Sequence, residues 1–231
     1  KLFPLRMPFN DNSSKPLSEE LLAIQDVTGL EDNDPIIQTW VKAYGELADA
    51  FIQIEKSIYD QMLWIGFKPF KVSKIKQESQ DVKSFTIESS EYDLSQFKPG
   101  QYITVDLSSE KLPYRAKRHY SITSGDENHL TFGVKRDVTD DNKGEVSTIL
   151  HDEVKEGDII NLSAPVGGFV LENTDKPKLF LGSGIGVTPL VAMFDYASKK
   201  GVRTQMIQIG SDENHLPFRD EFETIIAQND N

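Results

Sequence analysis

Three short strings in this chain place chemically useful side chains at useful spacings. The first is Arg118-His119-Tyr120-Ser121. On a strand, positions two apart share a face, so Arg118 and Tyr120 would point the same way. A guanidinium can clamp a diphosphate while a phenol ring beside it lies flat on an isoalloxazine. Ser121 offers a hydroxyl to a ring nitrogen. Four residues alone fit a plain alternating surface strand at least as well.

The second string, Gly144-Glu145-Val146-Ser147, opens a short helical pattern. A glycine and a serine at a helix start present N–H donors and a hydroxyl to a phosphate, although an ordinary capped helix reads the same. The third is Gly182-Ser183-Gly184-Ile185-Gly186-Val187-Thr188-Pro189. It follows an apolar strand run and opens a helix. Glycines there let a nucleotide backbone approach, and the helix end favours its negative charge. It is not GxGxxG, because Pro189 stands where the third glycine would.

The surrounding pattern must supply elements to hold these strings. Residues 1–16 carry three prolines and a polar run and read as irregular. A short helix is expected from Leu17 to Val27, with Ser18 as its cap. Asp34-Pro35 then starts a second helix, with apolar residues at three-to-four spacing to about Met62. That helix would be about 40 Å long. After Gly66 the period shortens. Strand-like runs follow at 70–75, 85–87, 100–107, 118–122 and 129–134, separated by turns such as Lys98-Pro99-Gly100, the spacing of a sandwich or barrel. One helix, Val146 to His151, interrupts them. From Lys178 the order is strand, helix (Pro189–Ser198), strand (Thr204–Ile209) and helix (Phe218–Gln228), the alternation of a parallel sheet.

Composition narrows the chemistry. The formal charge of −12 repels phosphate backbones and argues against a nucleic-acid partner, yet leaves room for nucleotide cofactors held by backbone N–H groups. With no cysteine, thiolate zinc sites, iron–sulfur clusters and disulfides are excluded. The four histidines, His119, His129, His151 and His215, have no metal-binding spacing. No apolar run reaches the length of a membrane span and no signal peptide is visible, so a cytoplasmic protein without a membrane partner is expected. His119 and His151 read as solvated side chains near the first two strings.

The order of the strings is more specific than any one of them. From about Phe67 to Asn231 the chain resembles the ferredoxin-reductase-like flavoproteins. The resemblance implies FAD contacts at Tyr102, Arg118, His119, Tyr120, Ser121, Gly144, Glu145, Val146 and Ser147. It implies NAD(P)H contacts at Gly184, Ile185, Gly186, Val187, Thr188 and Pro189. The front narrows the family further. Thr39-Trp40-Val41-Lys42-Ala43-Tyr44-Gly45 and Phe51-Ile52-Gln53-Ile54-Glu55 look like the last globin helix of a flavohaemoglobin, and Trp64-Ile65-Gly66-Phe67-Lys68-Pro69-Phe70 is similar to that family's junction. Intact members convert nitric oxide and O2 to nitrate with NAD(P)H, FAD and haem b. Glu55 matches the glutamate of their charge relay.

The expected fold is therefore multi-domain α+β. An irregular segment (1–16) precedes globin-tail helices (17–64). A six-stranded antiparallel FAD-binding barrel (65–173) and an incomplete parallel α/β NAD(P)-binding domain (174–231) follow. The family's proximal histidine has no match, since no histidine precedes His119, so no metal site and no haem are expected here. Further family strands and helices have no match either, which implies an open sheet edge and weak nicotinamide affinity. Ser211, Asp212, Glu213 and Asn214 follow the last strand, where an adenosine ribose is read, and the two acids lean toward NADH. Three roles stay open: an FAD-binding reductase fragment with at most diaphorase activity, a non-catalytic flavin-binding module, or an electron-transfer subunit completed by a separate haem protein.

Overall fold

The computed structural model describes residues 19–108, 114–139 and 142–229. Ser18 and the expected irregular segment lie outside them. The chain forms two compact units, Lys1–Asp60 and Gln61–Asn231.

The first unit holds α1 (Glu19–Thr28) and α2 (Pro35–Tyr59). Gly29 ends α1 at φ 69°, its N–H donating to the Gln25 carbonyl at 2.7 Å. Asp34 starts α2 by accepting from the Ile36 N–H at 2.8 Å, and Pro35 supplies a pre-set φ. α2 stops at Tyr59 rather than Met62. Met62, Leu63 and Trp64 instead pack into the barrel core of the second unit. The Trp64 indole is buried and donates to the Leu162 carbonyl at 3.1 Å, so the expected boundary after 64 falls inside this cluster.

The second unit opens with β1 (Phe67–Gln77), β2 (Val82–Glu88), β3 (Tyr102–Leu107), β4 (Ala116–Gly125) and β5 (His129–Lys135). The short pair β6 (Val138–Thr139) and β7 (Asn142–Lys143), then α3 (Glu145–Asp152), lead to β8 (Ile159–Ser163). Six of these strands close an antiparallel barrel in the order β1-β2-β5-β4-β3-β8. Phe85, Ile87, Ile103, Val105, Ile122, Phe132 and Leu162 fill it, and α3 adds Val146, Ile149 and Leu150. His151 is buried on α3, not solvated as expected. Its Nε2 lies 2.9 Å from the Val134 carbonyl, and burial lowers its pKa despite that bond.

A second lobe follows: β9 (Lys178–Ser183), α4 (Thr188–Lys199), β10 (Thr204–Ile209) and α5 (Arg219–Gln228). β9 and β10 pair in parallel, Lys178 opposite Thr204 through Ser183 opposite Ile209. Phe180 faces the helices, joining Leu190, Phe194 and Phe222 in a second core. Leu179, Leu181, Ile207 and Ile209, on the other face, are exposed.

The two lobes are tightly joined. A methyl group added at Gly133 of β5 would lie 2.7 Å from Thr188 Cγ2 and 2.8 Å from the Phe218 ring, so only glycine permits this approach. Lys76 of β1 bonds Glu221 of α5 at 2.5 Å and Glu78 at 2.9 Å. Glu78 also accepts from Ser84 at 2.5 Å, and burial raises its pKa above the usual carboxylate range. The Gln80 N–H donates to the Asn214 carbonyl at 2.9 Å, tying the β1–β2 turn to the segment after β10.

Candidate cofactor site

β4 pairs with β3 from Ala116 to Ser121 but with β5 only from Ile122 to Gly125. The barrel wall therefore opens between β4 and β5 beside Arg118 and Tyr120. The one register shift in the β4–β5 pairing lies after Ile122, so the alternation through Arg118 and Tyr120 is regular and both share a face. The Tyr120 ring stacks on Phe132 at 5.8 Å between centroids, with 27° between planes. Burial raises the Tyr120 pKa strongly, and the Arg118 charge pulls against that rise, so guanidinium and phenol are electrostatic neighbours. Arg118 donates to the Lys117 carbonyl at 2.9 Å, and no carboxylate among the described residues pairs with it. It remains able to clamp an anion.

The cross-strand register puts Tyr102, Thr104, His119 and Ser121 on the other face. The Tyr102 and His119 rings lie 4.8 Å apart, and His119 Nδ1 is 2.8 Å from Thr104 Oγ1. Tyr102 also exchanges two 2.9 Å backbone hydrogen bonds with Val166. Gly167, at φ 126°, leaves room for the Tyr102 ring, which a methyl group there would approach to 3.0 Å. The string thus divides: Arg118 with Tyr120 on one side of β4, His119 and Ser121 with Tyr102 on the other.

At the start of α3, Gly144 is the N-cap and donates to the Asp137 carbonyl at 2.7 Å. The Ser147 hydroxyl, expected to meet a phosphate, is engaged inside this turn. It accepts from the Asp137 N–H and donates to the Gly144 carbonyl, each at 3.1 Å. Val146 points into the core, so only its backbone can serve a ligand. Glu145 accepts a hydrogen bond from the Tyr114 hydroxyl, which raises that phenol's pKa. Sequence reasoning passed over Thr148, whose buried Oγ1 has no hydrogen-bond partner among the described residues. A buried hydroxyl left without a partner is uncommon and calls for an explanation. No sequence pattern separates it from its neighbour Ser147.

The glycine-rich turn links β9 to α4 through a 3-10 turn, Gly184–Val187. Its glycines do different work. At Gly182 a methyl group would lie 2.6 Å from Val187, so packing requires the glycine. Gly184 sits at φ 49°, and around Gly184 and Gly186 nothing lies within 4 Å of an added methyl, leaving the backbone open to approach. Thr188 is buried and donates to the Ile185 carbonyl at 2.9 Å, and Pro189 stands beside it in the first turn of α4. Ile185 is partly buried against the second core, and Val187 is inside it. A cavity of about 370 Å³ adjoins this turn at the carboxyl ends of β9 and β10, the place where open α/β sheets bind ligands.

Glu55, on α2, accepts from Tyr59 one turn later at 2.7 Å. No histidine occurs before His119 to complete a relay with it. Among the described residues no cluster of His, Asp and Glu could hold a metal ion, and no helix is long and apolar enough to cross a membrane.

Comparison with known proteins matches this geometry. Residues 69–171 fit the oxidoreductase FAD-binding domain family. The flavohemoprotein of Bacillus subtilis (strain 168) is 36% identical over 202 residues, covering 84% of this chain and 49% of the relative. The chain thus spans about half the length of the curated relatives it matches. The flavohem-like FAD/NAD-binding domain of a Vibrio cholerae nitric oxide dioxygenase superposes with a TM-score of 0.66 at 30% identity, over 70% of each chain. A Malassezia yamatoensis flavohemoglobin crystallised with FAD and haem shares the fold, with a TM-score of 0.66 at 23% identity over 90% of this chain and 55% of that one. By sequence and fold, this chain belongs to the flavohaemoglobin family and covers the part that carries the oxidoreductase FAD-binding domain.

Proposed function

We propose that the chain is the FAD-dependent NAD(P)H reductase portion of a flavohaemoglobin. In the whole protein it would serve nitric oxide oxidation by O2 to nitrate, a detoxification. The observation that carries this reading is the Arg118–Tyr120 face at the opening of the barrel wall, with the glycine-rich turn held on the lobe packed against it.

The residues present fit FAD. Among the described residues Arg118 pairs with no carboxylate and so keeps donors for a diphosphate, Tyr120 presents an aromatic ring beside it, and the buried Thr148 hydroxyl has no partner. FAD, when bound, supplies an acceptor for hydride and a donor of single electrons. The chain's own residues orient it: Arg118 fixes the diphosphate end and Tyr120 the ring. Tyr102 and Ser121, on the other side of β4, would engage the cofactor's polar edge. The backbone of Gly184 and Gly186, open to approach, would receive NAD(P)H ahead of α4.

Haem does not fit the residues of this chain. The first unit contains no histidine to hold the iron, and Glu55 is bonded to Tyr59. Electrons leaving the flavin would pass to a haem held elsewhere or to an artificial acceptor.

An absorption spectrum of the protein mixed with FAD and desalted, followed by NAD(P)H-driven dye reduction, tests the reading. Retained flavin with turnover supports a reductase. Retained flavin without turnover supports the second reading, a flavin-binding module. Tyr120→Ala is expected to lower FAD retention about tenfold, as loss of one aromatic contact predicts. Unchanged retention in that variant would refute the stacking role.

A further inference from the structure

α2 of the first unit carries a surface that the cofactor site does not use. Ile37, Trp40, Tyr44, Leu47, Phe51, Ile54 and Ile58 alternate three and four residues apart, so every core position of three successive heptads is apolar. Lys42, Asp49 and Lys56 recur seven apart on the opposite side of the helix. Val41, Ala43, Ala48 and Ala50, beside the seam, are small enough to let another helix approach. A sustained seam of period 3.5 is what a helix shows when its partner is another helix running alongside.

α1 covers only part of this seam. At 10 residues it is about 15 Å long, against about 37 Å for the 25 residues of α2. Among the described residues of α2 only Ile37 and Ala48 are buried. Trp40, Leu47, Phe51, Ile54 and Ile58 each remain more than half exposed, as does Ile36 beside them. Half of a large apolar side chain is roughly 100 Å², so these six leave roughly 600 Å² open, the upper end of what a monomer carries in one patch.

We propose that this seam pairs with the same seam of a second copy, antiparallel, about a two-fold axis between Leu47 and Phe51. Leu47 then meets Phe51 of the second copy, and Trp40 meets Ile58, an isologous contact that closes at two chains. The pair would bury about 1,200 Å², the lower end of a specific interface, so a dimer that dissociates in the micromolar range is expected. The seven core positions carry no charge, so self-pairing buries no ion. Antiparallel packing opposes the two helix dipoles. The chain also runs on from the end of α2 into the larger unit, and this direction keeps two chains of formal charge −12 from crowding one end.

Sedimentation of the full chain is expected to show a monomer–dimer equilibrium. Leu47→Asp sets a carboxylate against an apolar partner twice in each dimer, and is expected to raise the dissociation constant at least about thirtyfold. Lys42→Asp, on the polar side, should leave it within about twofold. The chain has no cysteine, so introduced thiols report single positions. Under mild oxidation a mixture of Trp40→Cys and Ile58→Cys chains should cross-link, and Trp40→Cys alone should not. Self-linking of Trp40→Cys shows a parallel pair and overturns the arrangement proposed. A wild-type chain that sediments as a monomer at tens of micromolar overturns the pairing itself, the seam then being covered within the chain or by an unlike partner. A dimer that Leu47→Asp leaves intact lies on another surface and refutes it as well. The cross-linking arm decides the matter even if Leu47→Asp disturbs the folding of α2.

Discussion

Gly133→Ala tests how the two lobes are joined. The substitution adds one methyl group to the middle of β5. That methyl would sit 2.7 Å from Thr188 Cγ2 and 2.8 and 3.0 Å from two carbons of the Phe218 ring. Carbon contacts are comfortable at about 3.5–4.0 Å, so each overlap is roughly 0.5–1.3 Å. Neither neighbour can easily withdraw. Thr188 is buried and bonded to the Ile185 carbonyl. Phe218 is 2% exposed and already holds a left-handed backbone at φ 62°. Overpacking of this kind costs about 1–3 kcal/mol. At about 2–4 °C per kcal/mol for a chain of this length, a mid-range cost of 2 lowers the melting temperature by roughly 4–8 °C. Circular dichroism melting measures it. Arg118 and Tyr120 are not touched by the change, so FAD retention should persist while NAD(P)H-driven reduction falls. A variant melting within about 1 °C of wild type, with full turnover, would refute the claim that this glycine sets the lobe contact.

Two further expectations follow from the same geometry. Burial raises the Glu78 pKa, so the folded chain holds that proton more tightly than the unfolded one. Stability from this group is fully present below its ordinary value of 4.5 and is lost as pH rises through the raised folded value, so the advantage of wild type over Glu78→Gln in pH-dependent melts should shrink above 4.5. A constant difference would show that Glu78 does not titrate there. Trp64→Ala removes a buried ring and its hydrogen bond to Leu162, and should cost the barrel about 3–5 kcal/mol, read from the urea midpoint. A loss below about 1 kcal/mol would place Trp64 outside the barrel core.

What the sequence made legible was local in its physics. Asp34-Pro35 starts α2 because a side-chain acceptor and a fixed φ act within two residues. The strand from Thr204 to Ile209 and the helix after Pro189 follow from periodicity and one proline. Arg118 and Tyr120 share a face because strand alternation guarantees it, wherever the strand is packed. Roles set by another part of the chain carry no such mark. His151 looks like a polar residue at a helix end, and only the neighbouring Val134 carbonyl makes its burial tolerable. Ser147 looks free for a phosphate until Asp137 returns to occupy it. Gly133 is the exception that carried a trace. A glycine in the middle of Leu130-Thr131-Phe132-Gly133-Val134 weakens a strand and suggests that something comes close. The pattern says that an approach occurs, but not that Thr188 and Phe218 make it. The candidate flavin face is therefore written within one strand, whereas the candidate nicotinamide site depends on two lobes meeting and cannot be read from either alone.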